Sequence, residues 1–148
     1  MYKKILVPLD GSKRAERILP HVEKIAHDND AVVVFLTVVS TPKVFGYGDL
    51  HYAHFQKEIE TVMEEAETYV KGIGGEFRAK GIETRYRTVM GPVVKEILDA
   101  AERENVDLVA MCSHGRGGIS RLFYGSIASG ILNRVDRPLL IIRARRDD

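Results

Sequence analysis

Two kinds of apolar pattern alternate along this chain. Lys4 to Leu9, Ala31 to Val39 and Leu108 to Met111 are short, nearly continuous apolar runs, the pattern of strands covered on both faces. Thr84 to Val89 instead alternates polar with apolar, as expected of a sheet edge, and Leu139 to Arg143 makes a fifth strand. Between them, apolar residues recur at helical spacing. The first such set is Ala15, Ile18, Leu19, Val22, Ile25 and Ala26. The second is Phe55, Ile59, Val62, Met63, Ala66, Tyr69 and Val70. The third is Val93, Ile97, Leu98 and Ala101, and the last is Ile127, Ala128, Ile131, Leu132 and Val135. The order βαβαβαβαβ with short connections predicts an α/β fold, one open five-stranded parallel sheet with helices on both faces, in a single domain over residues 1–148.

Breaker residues refine this outline. Ser12, after Asp10 and Gly11, is a candidate N-cap for the first helix, and Pro20 should interrupt that helix. Residues 40–54, with Pro42, Gly46 and Gly48, read as an irregular segment leaving the second strand. Gly72, Gly74 and Gly75 predict a bend or early fraying in the long helix, because glycine is less favourable than alanine in a helix interior by ~1 kcal/mol.

Candidate chemistry concentrates after the fourth strand. Cys112-Ser113-His114-Gly115-Arg116-Gly117-Gly118 is followed by Ile119 to Tyr124 and then by Gly125-Ser126, which opens the last helix. A strand, a glycine-rich loop and a helix N-terminus form a recurrent anion site, because unpaired N–H groups and the helix dipole both favour negative charge there. Glycine also admits a ligand close to the backbone.

Cys112-x-x-Gly115, nine residues, then Gly125-Ser126 resembles the Gly-x-x-Gly-x9-Gly-Ser/Thr nucleotide signature of the universal stress protein family, with Cys112 where the family has its first glycine. The opening Ile5-Leu6-Val7-Pro8-Leu9-Asp10-Gly11-Ser12, the central Gly91-Pro92 and the closing Arg137-Pro138-Leu139-Leu140-Ile141-Ile142-Arg143 extend the resemblance over nearly the whole chain. It implies a Rossmann-like strand order 3-2-1-4-5, with the first Pro20-containing helix kinked rather than split. It also implies a homodimer joined through the C-terminal edge strand. Strands one and four are then neighbours where the order reverses, the place where open α/β sheets bind ligands.

The same resemblance implies a cytoplasmic ATP-binding stress-response protein whose nucleotide occupancy is a signal, with Mg²⁺ or Mn²⁺ carried by the nucleotide. Pro8, Leu9, Asp10 and Val38 should surround adenine and ribose. Met111, Gly115, Arg116, Gly118, Gly125 and Ser126 should enclose ribose and phosphates, and Gly91 should flank the pocket. Two alternatives stay open: a dimeric interaction module of the same fold that does not bind nucleotide, and a weak nucleotide hydrolase. Alternation along strand four sends Met111 and Cys112 to opposite faces, and since the resemblance makes Met111 the pocket residue, Cys112 is expected toward the helix layer.

Composition narrows these readings. With 22 Lys and Arg against 21 Asp and Glu, the chain has no general basic character for nucleic acid. One cysteine precludes an intrachain disulfide and fits a reducing compartment. The first strand begins almost at Met1, leaving no room for a signal peptide, and no apolar stretch approaches a membrane span. Ser113 and His114, with Asp10, are triad residue types without triad geometry implied, and Asp49, His51 and His54 are a weak metal pattern. No Walker-type lysine or Gly-x-Gly-x-x-Gly turn is present, so catalysis is not expected.

Overall fold

The apolar runs become β1 (Lys4–Pro8), β2 (Val32–Val39), β4 (Leu108–Cys112) and β5 (Leu139–Ile142), and the alternating one becomes β3 (Thr84–Met90). In the computed structural model, which describes residues 1–40, 49–113 and 125–143, these strands form one sheet in the order β3-β2-β1-β4-β5. All four pairings are parallel. Burial on both faces accounts for the continuous apolar runs. Ile5, Val7, Val33, Phe35, Leu108 and Ala110 pack on one face, while Leu6, Val34, Leu36, Val109 and Met111 pack on the other.

The chain enters its first helical segment through a 3₁₀ turn, Ala15–Ile18, and continues as α1 (Leu19–Asn29). Ser12 does act as a cap: its Oγ accepts the Ala15 N–H at 3.1 Å. Pro20 falls in the first turn of α1, where its missing N–H costs no hydrogen bond. The backbone remains helical through Ile18 and Leu19, so winding changes from 3₁₀ to α just before Pro20 and the helix is not split there.

Two sequence expectations are corrected in α2, which runs from Asp49 to Ala79 over 31 residues. The irregular segment was expected to extend to residue 54, but the helix already begins at Asp49; residues 41–48 lie outside the described residues. Between Gly48 and Gly72 no glycine or proline opposes a helix, and aspartate is favoured at helix starts. The helix also continues through Gly72, Gly74 and Gly75 without fraying. Buried Val70, Ile73 and Phe77 anchor it on both sides of these glycines, and Phe77 meets Phe35 edge-on at 5.0 Å between ring centroids. Gly74 also accepts a hydrogen bond from Thr84 Oγ1 on its carbonyl at 3.2 Å. Tertiary packing outweighs local propensity here.

α3 (Val93–Arg103) and α4 (Ser126–Arg134) cover the opposite face. Arg137 fixes the approach to β5 by donating through Nη1 to the carbonyls of Ala101 (2.8 Å) and Val106 (3.0 Å). At the β3 edge, Arg85 and Arg87 both reach Glu104. Val109 and Ser113 N–H donate to the carbonyls of Pro138 and Ile142. The alternation of a parallel ladder therefore turns the N–H and C=O of Leu139 and Ile141 away from β4, toward the sheet edge. Among the described residues, no helix is long and apolar enough to cross a membrane.

A Cβ added at Gly72 or Gly75 meets no atom within 4 Å. Gly72→Ala and Gly75→Ala should therefore each stabilise the protein by roughly 0.5–1 kcal/mol, raising Tm by about 2–4 °C. Differential scanning calorimetry checks this; a fall in Tm for both would mean that the helix needs flexibility there.

Candidate functional site

β1 and β4 are adjacent in the sheet, but their continuations diverge, and a crevice of about 800 Å³ opens where they separate. This volume is ordinary for a small-molecule site. Pro8, Leu9, Asp10, Val38, Met111, Gly125 and Ser126 all line it. Seven of the ten residues singled out by sequence are thereby brought together. The other three, Gly115, Arg116 and Gly118, lie outside the described residues, as does His114.

The first wall is the turn after β1. Asp10 Oδ1 accepts hydrogen bonds from Ser12 N–H at 2.9 Å and Ser12 Oγ at 2.6 Å. The carboxylate thus holds the turn in shape, and Gly11 between them adopts φ +85°, a conformation that favours glycine. β2 supplies the second wall. Its bonding to β1 ends where Leu9 N–H donates to Leu36 C=O at 2.8 Å, and Val39 C=O faces β3 by accepting Gly91 N–H at 3.0 Å. By the same alternation, Val38 directs its N–H and C=O toward the β1 side, beyond the point where β1 has turned away.

The third wall is the junction of β4 with α4. Ser113 N–H donates to Ile142 C=O, and Ser113 C=O accepts Gly125 N–H, both at 2.8 Å. The chain leaving β4 therefore returns to that strand's end before α4 begins. α4 starts with Gly125 as N-cap, without a side-chain cap and without an acidic residue in its first turn. The first bond of its helical ladder is Ser129 N–H to Gly125 C=O, so the N–H groups of Ser126, Ile127 and Ala128 precede it and meet the crevice wall. α3 differs: Glu96 stands in its first turn and packs against Gly91, where an added Cβ would lie 2.7 Å from Glu96 Oε1. Gly91 was expected to flank the pocket but is not among the lining residues.

The fourth wall did not emerge from the sequence. Val62, Glu65, Ala66 and Tyr69 of α2 close the crevice from the far side of the sheet. At ~1.5 Å per residue, a 31-residue helix is about 46 Å long, whereas eight strand residues span about 26 Å. That mismatch is the signal that could have placed α2 beside the strand ends. Tyr69 OH donates to Glu16 Oε2 at 3.0 Å, and burial, reinforced by that carboxylate, pushes the phenol's pKa upward. Thr37 also lines the crevice and was missed.

Cys112 follows the strand alternation. It packs with Ala15 and Ile18, opposite Met111, and its Sγ lies 3.4 Å from Ala15 C=O. Burial pushes its thiol up to about 11. Of the weak metal pattern, His54 pairs instead with Glu58 at 3.0 Å, and the side chains of Asp49 and His51 lie outside the described residues. Among the described residues no three potential ligands gather for a metal ion.

The model described as the universal stress protein family matches residues 1–143. Universal stress protein MJ0577 of Methanocaldococcus jannaschii is 28% identical, across 98% of this chain and 97% of the relative. Its solved structure covers 99% of both chains with a TM-score of 0.86. A universal stress protein in complex with cAMP shares the fold at TM-score 0.65 and 21% identity, covering 97% of this chain and 98% of the other. An Arabidopsis thaliana family member with AMP bound does so at TM-score 0.67 and 13% identity, with 98% and 94% covered.

The raised thiol pKa has a definite sign. Between the ordinary thiol value near 9 and about 11, the folded state holds the proton and the unfolded state releases it, so the Cys112 contribution to stability falls as pH rises through that window. Native-state labelling by a thiol reagent should accordingly be slow at pH 7 and accelerate up to about pH 11, as followed by mass spectrometry. Rapid labelling at neutral pH would contradict the buried placement.

Proposed function

Because the chain belongs to the universal stress protein family over residues 1–143, we propose that it is a cytoplasmic regulatory protein that binds ATP in this crevice and signals through nucleotide occupancy. The observation that carries this reading is the convergence of an uncapped helix N-terminus, a turn carboxylate and an open strand edge on one crevice where the strand order reverses. The adenine nucleotides held by the two ligand-bearing relatives support the same class of ligand. A lone buried thiol is compatible with the reducing compartment in which this reading places the protein.

The residues divide the nucleotide between them. Adenine offers a donor at its exocyclic amine beside an acceptor at N1, matching the C=O and N–H that Val38 turns toward the crevice. Guanine presents the reversed order on that edge. Pro8 and Met111 give the base apolar surroundings, and the Asp10 carboxylate can accept from a ribose hydroxyl. The Ser126, Ile127 and Ala128 N–H groups and the Ser126 hydroxyl suit phosphate oxygens, with the helix dipole adding favourable charge. A divalent ion, Mg²⁺ or Mn²⁺, would arrive on those phosphates. Gly115, Arg116 and Gly118 belong to the same proposed phosphate loop by the family signature.

A hydrogen bond to a charged group contributes ~1.5–3 kcal/mol, so Ser126→Ala should weaken ATP about tenfold to a hundredfold. Gly125→Val should weaken it further, by placing a branched side chain where phosphate must approach. Calorimetric titration of ATP and GTP into wild type and both variants is the test. Absence of ATP binding by the wild type, or unchanged affinity in both variants, would reject the reading.

We also propose a homodimer through β5, whose Leu139 and Ile141 backbone groups point outward and whose side chains are all partly exposed. Antiparallel pairing with a second copy would satisfy that edge and cover Leu132, an exposed leucine on the adjacent α4. Ile141→Pro removes an outward N–H while sparing the β4 ladder. Sedimentation should show monomers for this variant; a persistent dimer would place the interface elsewhere.

A further inference from the structure

The crevice has two sides, because it straddles the carboxyl ends of a sheet with two faces. Leu36, Val38 and Met111 belong to the α3–α4 side, together with the α4 N-terminus. Ala15, Thr37, Val39, Val62, Ala66 and Tyr69 border the α2 side, where Thr37 and Val39 continue the strand alternation of Val33 and Phe35. The nucleotide contacts proposed above draw on the first side and the rim between them. Nothing in them uses the chamber under α2.

That chamber has an unanswered polar demand. Thr37 is only 7% exposed, and its Oγ1 is enclosed without a hydrogen-bond partner among the described residues. Thr88 pairs with Thr37 in the β2–β3 register, and its Oγ1 is likewise enclosed and without a partner. A buried hydroxyl left unsatisfied is costly, and two on neighbouring strands, about 4.8 Å apart, form one small polar spot in an otherwise apolar wall. One χ1 rotation exchanges a threonine's hydroxyl and methyl, so the Thr37 hydroxyl can present itself to the chamber by a single rotamer step.

We propose that this α2-side chamber is a second ligand subsite, which takes a neutral, largely apolar molecule ending in an amide or alcohol, anchored by Thr37, with Thr88 behind it on β3. A hydroxyl both donates and accepts, so the complementary head group is one that does the same. Asp10, Glu16 and Glu65 stand around the chamber against two cations, Lys13 at 3.4 Å from the Glu16 carboxylate and Arg17 beside Cys112, so the balance is negative and anions are disfavoured. Val62 and Ala66 provide the apolar roof for the ligand's body. The subsite does not depend on the nucleotide reading, since its anchor and roof, Thr37, Val62 and Ala66, are not assigned to ATP.

The test is an NMR-detected titration of the full chain with benzamide and with benzoate, which have the same shape but differ in charge. Benzamide should bind saturably, shifting the resonances of Thr37, Ala66 and Thr88, and benzoate should bind at least about tenfold more weakly. Thr37→Val, which removes the orphan hydroxyl and should fold at least as well, is expected to weaken benzamide by about fivefold, the loss of one neutral hydrogen bond. Ala66→Leu, filling the roof, should abolish binding. No saturable benzamide binding, equal binding of benzoate, or full affinity in Thr37→Val would overturn the proposal. So would displacement of benzamide by ATP, which would merge the chamber with the nucleotide pocket. A wild type that binds benzamide but not ATP would sink only the nucleotide reading.

Discussion

The crevice depends on one short backbone contact, the 2.8 Å hydrogen bond from Gly125 N–H to Ser113 C=O. Ser113 is already held against β5 by its own N–H, so the bond returns the chain to the sheet after an excursion of eleven residues and delivers the start of α4 beside the end of β4. Without it, the helix N-terminus would have no fixed relation to Asp10. The glycine at position 125 serves as the N-cap without adding a side chain that would fill the space in front of the first-turn N–H groups. Position and openness thus come from the same two residues.

Strand order supplies the rest of the placement. Because β1 lies between β2 and β4, its exit loop is flanked by both, and the turn built on Asp10, Gly11 and Ser12 faces the β4–α4 junction directly. β2 and β3 continue past the end of β1, since their register runs to Val39 and Met90 while that of β1 stops at Leu36. The overhang is what exposes Val38 backbone groups on one side. Strand alternation puts the side chain of Thr37, one residue away, on the opposite face.

The sequence was most legible where one physical cause dominated. Double-sided burial made β1, β2 and β4 continuous apolar runs, and single-residue alternation was enough to send Met111 and Cys112 to opposite faces. The glycine spacing marked Gly125-Ser126 as the opening of α4, and the structure puts it there. The strand order, by contrast, came from resemblance, because alternation cannot say which strands are neighbours. Local propensity misjudged α2: three glycines suggested a weak helix, but contacts with β2 and β3, distant in sequence, keep it continuous. Val62, Ala66 and Tyr69 were read on its apolar face but not as part of a site, so its wall of the crevice went unseen. Thr37 was hidden for a different reason, because a single hydroxyl in an apolar strand carries no pattern.

Cys112 shows how a departure from a family pattern can be absorbed. A glycine at the end of β4 would leave space on both sides of the strand, whereas cysteine commits the α1 side to a side chain. The sulfur lies against Ala15 C=O in the 3₁₀ turn that follows Asp10, so the substitution adds a direct tie between the two loops that flank the crevice. A small buried thiol suits that task, since it packs as a hydrophobe and still offers a weak donor to a carbonyl. Its Cβ points away from Met111, so the face of β4 turned toward α3 and α4 keeps its shape. The price of losing the glycine is therefore confined to the α2 side, where Cys112 narrows the chamber that Thr37 and Ala66 enclose.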